Sequence, residues 1–257
     1  MFYGSVSITK LLQGGLCLGG RLVEMLADAT GLPVGIKSAV GESDFWIDLA
    51  QQMEKDSRGV DFITIDGGEG GTGAGPLVFT DHVSLPFRMA MVRVYREFAI
   101  RDIARKVVFV GSGKLGFPEC SILAFALGCD LINIGREAML AIGCIQAQRC
   151  HTGHCPTGVA TQNRWLSRGL DPHHKGGRLA NFVTTLRKEI LNLSHACGVI
   201  HPALISSRHL EILDDRFGAV SIEDLFQYGP GWGMPVKDDL KEIQKIMEGL
   251  YSSDSSK

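Results

Sequence analysis

No apolar run in the 257 residues is long enough to cross a bilayer, because Arg, Asp, Glu, Lys or Gly interrupts each candidate. An excess of positive charge is also lacking. The formal net charge is −2, so no polycationic face for nucleic acid is indicated. The opening stretch, MFYGSVSITKLLQGGLCLGGRLVEML, has one lysine and a broken apolar run, which makes it a poor secretory signal. No repeat of solenoid period occurs. Low complexity is confined to the polar end YSSDSSK, which is expected to be disordered. A dinucleotide fingerprint needs an acidic partner downstream; GSGKLG at 111–116 lacks one, so nicotinamide binding is not indicated. The seven cysteines are an odd number in a chain too long for a small secreted scaffold. They point to a reducing cytoplasm, with thiols used as ligands or core residues.

What is present is the composition of a globular protein, 45% apolar and 21% charged. Short apolar runs at 33–39 (PVGIKSA), 60–65 (VDFITI), 107–110 (VVFV) and 131–134 (LINI) read as strands. They alternate with helical patterns at 21–29, 43–55, 86–104 and 118–127, and a further helix runs into Cys144. This is the pattern of parallel βα units. In such folds the chemistry sits at the carboxyl ends of the strands. Lys37, residues 66–73, Gly111–Lys114 and Gly135–Glu137 all lie at such ends. A glycine at a strand end is most often a turn, so the signal is the four ends taken together. Gly111, Ser112 and Gly113, with Gly135 and Arg136, follow the last two strands, where a phosphate often sits in (β/α)8 barrels. Lys114 or Arg136 would add charge to the backbone amides there.

The segment 143–162, GCIQAQRCHTGHCPTGVATQ, concentrates Cys144, Cys150 and Cys155 in a C-x5-C-x4-C-P pattern. Thiolates close in sequence, with a proline after the last, are how iron–sulfur clusters are held. Three cysteines without a fourth favour a three-iron cluster or a cube with one other ligand. His151 and His154 keep a Cys3His zinc site open, and three reduced thiols in a packed loop are the plainer alternative. Beyond residue 162 the pattern turns helical, with an amphipathic helix at 175–196, short helices at 206–213 and 221–228, and a loop at 229–235. The chain divides into an N-terminal segment 1–32, a unit 33–165 and a helical region 166–257. Cys120, Cys129 and Cys197 read as core thiols, Trp46, Trp165 and Trp232 as packing residues, and His173–His174 as a solvated pair.

The cysteine segment resembles the cluster segment of the glutamate synthase large subunit. The run ITIDGGEGGTGAGP at 63–76 resembles that family's Gly-rich substrate loop, and PVGIK at 33–37 a strand ending in a flavin-contacting lysine. The resemblance covers about residues 20–165 and is closer to short, single-chain members of the family. It implies the second half of a (β/α)8 TIM-type barrel, about four βα units, with a C-terminal helical tail. It implies FMN and a 3Fe–4S cluster held by Cys144, Cys150 and Cys155, and Lys37 at the flavin's pyrimidine edge. Lys37 and Glu69 would be catalytic, and Gly70, Gly71, Thr72 and Gly73 would line the substrate. The substrates would be 2-oxoglutarate and ammonia, or nitrogen taken from glutamine, with ferredoxin or a reductase subunit as donor.

A full barrel takes about 250 residues. Only 32 residues precede the four units, and no counterpart of the family's glutaminase nucleophile is found; Cys17 is internal. Strands 33–39 and 131–134 are therefore expected to be open edges that invite an oligomer or a complementing chain. An FMN barrel oxidoreductase of another kind, and a fragment inactive without a partner, are the alternative readings.

Overall fold

The computed structural model describes residues 16–56, 58–70, 83–213 and 218–254. Four strands, β1 (Gly35–Ala39), β2 (Phe62–Asp66), β3 (Val108–Ser112) and β4 (Leu131–Asn133), form one parallel sheet in sequential order. Helices α2 (Asp44–Lys55), α3 (Phe87–Ala99) and α4 (Pro118–Ala126) connect them, α1 (Leu16–Thr30) precedes them and α5 (Arg136–Ala141) follows. Strands in chain order with a helix in every crossover are the arrangement of a partial (β/α)8 barrel.

The period of two along each strand divides the sheet into two faces. Ile63 pairs with Phe109, and Ile65 with Gly111. Ile63, Ile65 and Phe109 are fully buried against the helices. Trp46 and Leu49 of α2 and Met91, Val94 and Phe98 of α3 complete that core. Truncating a side chain as buried as Phe98 to Ala costs about 3–5 kcal/mol. The opposite face carries Lys37, Thr64, Val110 and Leu131 in one row and Ala39, Asp66, Ser112 and Asn133 in the next. That second row lies at the carboxyl end and is the floor of the site. Among the described residues β1 and β4 are the outer strands, and Leu131 of β4 is 58% exposed.

Beyond the sheet, Asp171 caps α7 (Pro172–Ala196) by accepting from the amides of His173 and His174. Leu186 and Ile190 of α7 pack on Ile122 and Ala126 of α4. The region 206–213, expected as a helix, is instead a 3-10 turn (Ser207–His209) followed by β5 (Glu211–Leu213). That strand pairs antiparallel with β6 (Ala219–Ser221). Its Glu-Ile-Leu run is too short to sustain helical spacing, and the pairing that decides it is non-local. Ser221 accepts from the Asp224 amide and caps α8 (Ile222–Phe226).

The other departures lie at element ends. Helix α1, described from Leu16, runs through Gly19 and Gly20, upstream of the helical pattern expected at 21–29. Glycine's cost of about 1 kcal/mol in a helix is too weak a prior to stop one. Helix α3 ends at Ala99, short of the expected 104, and α5 ends at Ala141 before reaching Cys144. Helix α9 (Lys237–Asp254) takes in the first four residues of the polar end, and the last three lie outside the described residues. No described helix is long and apolar enough to cross a membrane.

An aromatic clamp ties the C-terminal region to the sheet. Tyr228 donates to the Leu127 carbonyl at 2.9 Å, and the Gly233 amide donates to the Tyr95 hydroxyl at 2.7 Å. The rings of Tyr95 and Tyr228 stack 5.8 Å apart, and Trp232 packs edge-on against both. Trp46 and Trp232 are thus packing residues. Trp165 is not; it is 73% exposed, with the Arg168 guanidinium 5.4 Å above its ring.

Candidate active site

Side chains of three adjacent strands converge on one carboxylate, although Lys37 lies within β1, two residues before its end, and not at the strand end expected. Asp66 closes β2, opposite Ala39 of β1 and Ser112 of β3 in the register. Its Oδ2 lies 3.1 Å from Lys37 Nζ, and its Oδ1 accepts from the Ser112 hydroxyl at 2.9 Å. Lys37 and Ser112, nominated separately from the sequence, are thereby joined through Asp66, which the sequence placed at a strand end without assigning it a role. The available signal was its place: a strand-final Asp directly before Gly67-Gly68, in a sheet whose neighbouring strand ends in Ser.

Glu69 sits in a 3-10 turn (Gly68–Gly70), with both carboxylate oxygens 2.8 Å from the Phe87 amide. Phe87 is the first residue of α3 and follows Pro86, which has no N–H to offer. A carboxylate at a helix N-terminus satisfies an orphan donor and meets the positive end of the helix dipole. In this arrangement Glu69 ties the loop after β2 to the helix that leads away from it.

Glycines make the loops fit. A Cβ on Gly70 would lie 3.1 Å from Gly113 Cα and 3.2 Å from Asp66 Oδ1. Gly113 adopts φ +141°, and a Cβ there would meet Phe87 Cβ at 3.2 Å. Gly71, Thr72 and Gly73 lie outside the described residues. The loops after β3 and β4 are neighbours, since Ser112 pairs with Asn133 and a Cβ on Gly116 would collide with buried Glu137 at 2.5 Å. Lys114 follows Gly113 with φ 52°. Gly135, just before Arg136 opens α5, has open space where a Cβ would be. Sequence reasoning did not foresee the fit of Gly116 on Glu137, which only the two loops together reveal.

Cys144, Cys150 and Cys155 line one small cavity, with Pro156 and Thr157 at its wall. Gln146 and Gln148 take positive φ between the first two cysteines, which turns the loop back on itself. The Gln146 amide donates to Cys144 Sγ at 3.4 Å. Cys155 is buried, and its thiol is lowered to about 7. The Thr157 hydroxyl at 3.5 Å is the main cause, opposed by burial and aided by the amides of Ala160, Thr157 and Val159. Polar hydrogens aimed at sulfur favour the thiolate, the form that binds iron. Among the described residues no three Cys, His, Asp or Glu side chains converge as ligands of one ion. His151 is exposed, and the ring of exposed His154 is turned onto the Thr152 carbonyl, with Nδ1 at 2.8 Å. Three cysteines thus line one small cavity, and thiols gathered in this way are the donor type that iron–sulfur clusters use. Two neighbours come from outside the segment. The α6 turn (Arg164–Ser167) packs on Gly158, and the amine of Lys175 in α7 lies beside Gly143.

A cavity of about 550 Å³ lies elsewhere. It opens at the amino-terminal end of β3, walled by Val107, Phe109, Asp130, His201 and Met234, and touches none of the motif residues. The strand-end rule outranks cavity size here, because the motif residues gather at the opposite end.

Residues 20–200 match the family described as the conserved region in glutamate synthase. A glutamate synthase large subunit-like protein, YerD of Bacillus subtilis, is 37% identical over 203 residues, covering 79% of this chain and 39% of that protein. An archaeal glutamate synthase [NADPH] of Methanocaldococcus jannaschii is 39% identical over 139 residues, 54% of this chain and 27% of its own length. A ferredoxin-dependent glutamate synthase 2 of Synechocystis is 34% identical over 135 residues, 52% of this chain and 8% of its own length. The chain therefore spans well under half of each of these relatives.

Proposed function

This chain belongs to the glutamate synthase family, and on that premise we propose that it is the flavin and iron–sulfur part of an enzyme that reductively aminates 2-oxoglutarate to glutamate. The observation that carries the reading is the gathering of Cys144, Cys150 and Cys155 around one hollow, in a chain whose other motifs meet at one end of a parallel sheet. The donor chemistry fits a 3Fe–4S cluster. The glycines at 113 and 135, one tightly packed and one open, fit the approach of an FMN phosphate to backbone amides. Ser112, Gly111, Lys114 and Arg136 would complete that phosphate site.

When bound, FMN would supply hydride to the imine of 2-oxoglutarate, fed with electrons from the cluster. The residues of the chain do the rest. Lys37 would present its ammonium to the flavin's pyrimidine edge, where negative charge builds on reduction. Asp66 contacts that ammonium, and the Ser112 hydroxyl donates to the other oxygen of Asp66. Glu69, bound to the Phe87 amide, acts in this reading by fixing the substrate loop rather than by moving a proton. Gly70, with Gly71, Thr72 and Gly73, would offer amides to a substrate carboxylate. Nitrogen would come from ammonia or from glutamine. Electrons would come from NADPH or ferredoxin, which the names of two relatives print for those proteins. A reducing cytoplasm suits such a cluster.

The experiment is ammonia- and 2-oxoglutarate-dependent oxidation of a reduced donor by cofactor-loaded protein. Glutamate formed in proportion to donor consumed supports the reading; donor oxidation indifferent to 2-oxoglutarate refutes it. A second reading, a subunit that works only with a partner chain, is favoured by the exposure of Leu131 on outer strand β4. Mass in solution with and without candidate partners tests it.

A further inference from the structure

Building on the flavin site proposed above, we propose that Asp66 is its positioning residue, holding the Lys37 ammonium and the Ser112 hydroxyl in fixed places across three adjacent strands. Lys37 is a long side chain, 57% exposed, and left alone it would sample many rotamers. Asp66 Oδ2 stops it at 3.1 Å. The other oxygen is taken by the Ser112 hydroxyl at 2.9 Å, so the carboxylate cannot turn without breaking one contact. Gly70 closes over it, since a Cβ there would reach 3.2 Å from Oδ1. Asp66 is thus held by a strand on each side and by the loop above.

Stability does not explain this arrangement. Ion pairs as exposed as this one contribute little to folding. What the pair does is aim one cation and lower the net charge beside it. A cofactor edge that gains negative charge on reduction would meet Lys37 in a fixed place, already partly neutralised. Asp66 therefore bears on the balance between oxidised and reduced cofactor through Lys37, without touching the reacting atoms.

The test has one arm without flavin and one with it. In the flavin-free chain, reductive methylation of Lys37 is followed by peptide mass spectrometry, with exposed Lys245 as the internal standard. Asp66→Asn keeps the shape and removes the charge. It is expected to raise the relative labelling rate of Lys37 by about threefold, the scale of an exposed ion pair. In the FMN-loaded protein, Asp66→Asn is expected to raise the affinity for reduced over oxidised flavin by a similar factor, about threefold. The same change in a Lys37→Met background should leave that ratio unmoved. Equal labelling of Lys37 in wild type and Asp66→Asn overturns the tether, whether or not flavin binds. An equal change of the ratio in both backgrounds overturns action through Lys37. Failure of the wild-type chain to bind FMN refutes the flavin reading, and the labelling arm still decides the tether.

Discussion

Gly70 and Gly113 touch across the ends of two neighbouring strands, with 3.1 Å between a Cβ built on the first and the Cα of the second. Neither has room for a side chain, and Gly113 is also held at φ +141°. Replacing Gly113 with Ala should cost about 1–3 kcal/mol for the backbone conformation alone. Flavin affinity should fall as well, because the loop would be pushed off the Gly67–Phe87 contact. Gly135→Ala is the informative counterpart, since nothing lies within 4 Å of its Cβ. It should leave the unfolding temperature unchanged and weaken FMN binding. Denaturation curves and flavin fluorescence titration check both.

Glu69 should behave first as a cap. Removing the carboxylate in Glu69→Ala leaves the Phe87 amide without this acceptor and should cost about 0.5–2 kcal/mol. Glu69→Gln retains an acceptor and should recover most of that loss. If Glu69 acts only by fixing the loop, turnover in the Gln variant stays near wild type. A large loss of kcat with stability preserved would instead make its charge part of the chemistry.

Much of this was legible in the sequence, and what was missed has a physical reason. The four strands follow from apolar runs punctuated by glycine, and their parallel pairing from the helices between them. The cysteine cavity follows from spacing, because thiols so near in the chain cannot be far apart in a looped segment. Asp66 was not legible as a tether. Its partners are 29 and 46 residues away on the two adjacent strands, and only the register brings them together. The β5–β6 pair escaped for the same reason. Trp165 escaped because an aromatic residue is buried by default, whereas this one is 73% exposed with Arg168 over its ring.

The aromatic clamp should set an alkaline limit. Burial raises Tyr228 well above the usual tyrosine range, and Tyr95 is raised as well, also by burial. A folded value above the unfolded one means stability that is complete below about pH 10 and lost as the pH climbs toward the folded value. Ultraviolet titration of phenolate should therefore find these two tyrosines un-ionised until the chain unfolds. Tyr228→Phe, which strands the Leu127 carbonyl, should cost about 1–3 kcal/mol at neutral pH and make stability fall less steeply above about pH 10, because one of the two phenols that drive the loss is gone.

The three cysteines should not be interchangeable with other donors. Cys144→Ser, Cys150→Ser and Cys155→Ser should each abolish cluster binding, whereas His154→Ala, whose ring is turned onto the Thr152 carbonyl, should leave it intact. Loss of metal in the His154 variant would revive a mixed Cys/His site.

Anaerobic analysis of iron and acid-labile sulfide in the purified chain, together with its visible spectrum, tests the central claim most directly. Iron and sulfide in the proportion of a 3Fe–4S cluster, with flavin absorption superposed and cluster absorption lost in Cys150→Ser, is the predicted result. Zinc without sulfide, or a colourless protein that takes up neither cluster nor flavin on reconstitution, would contradict it.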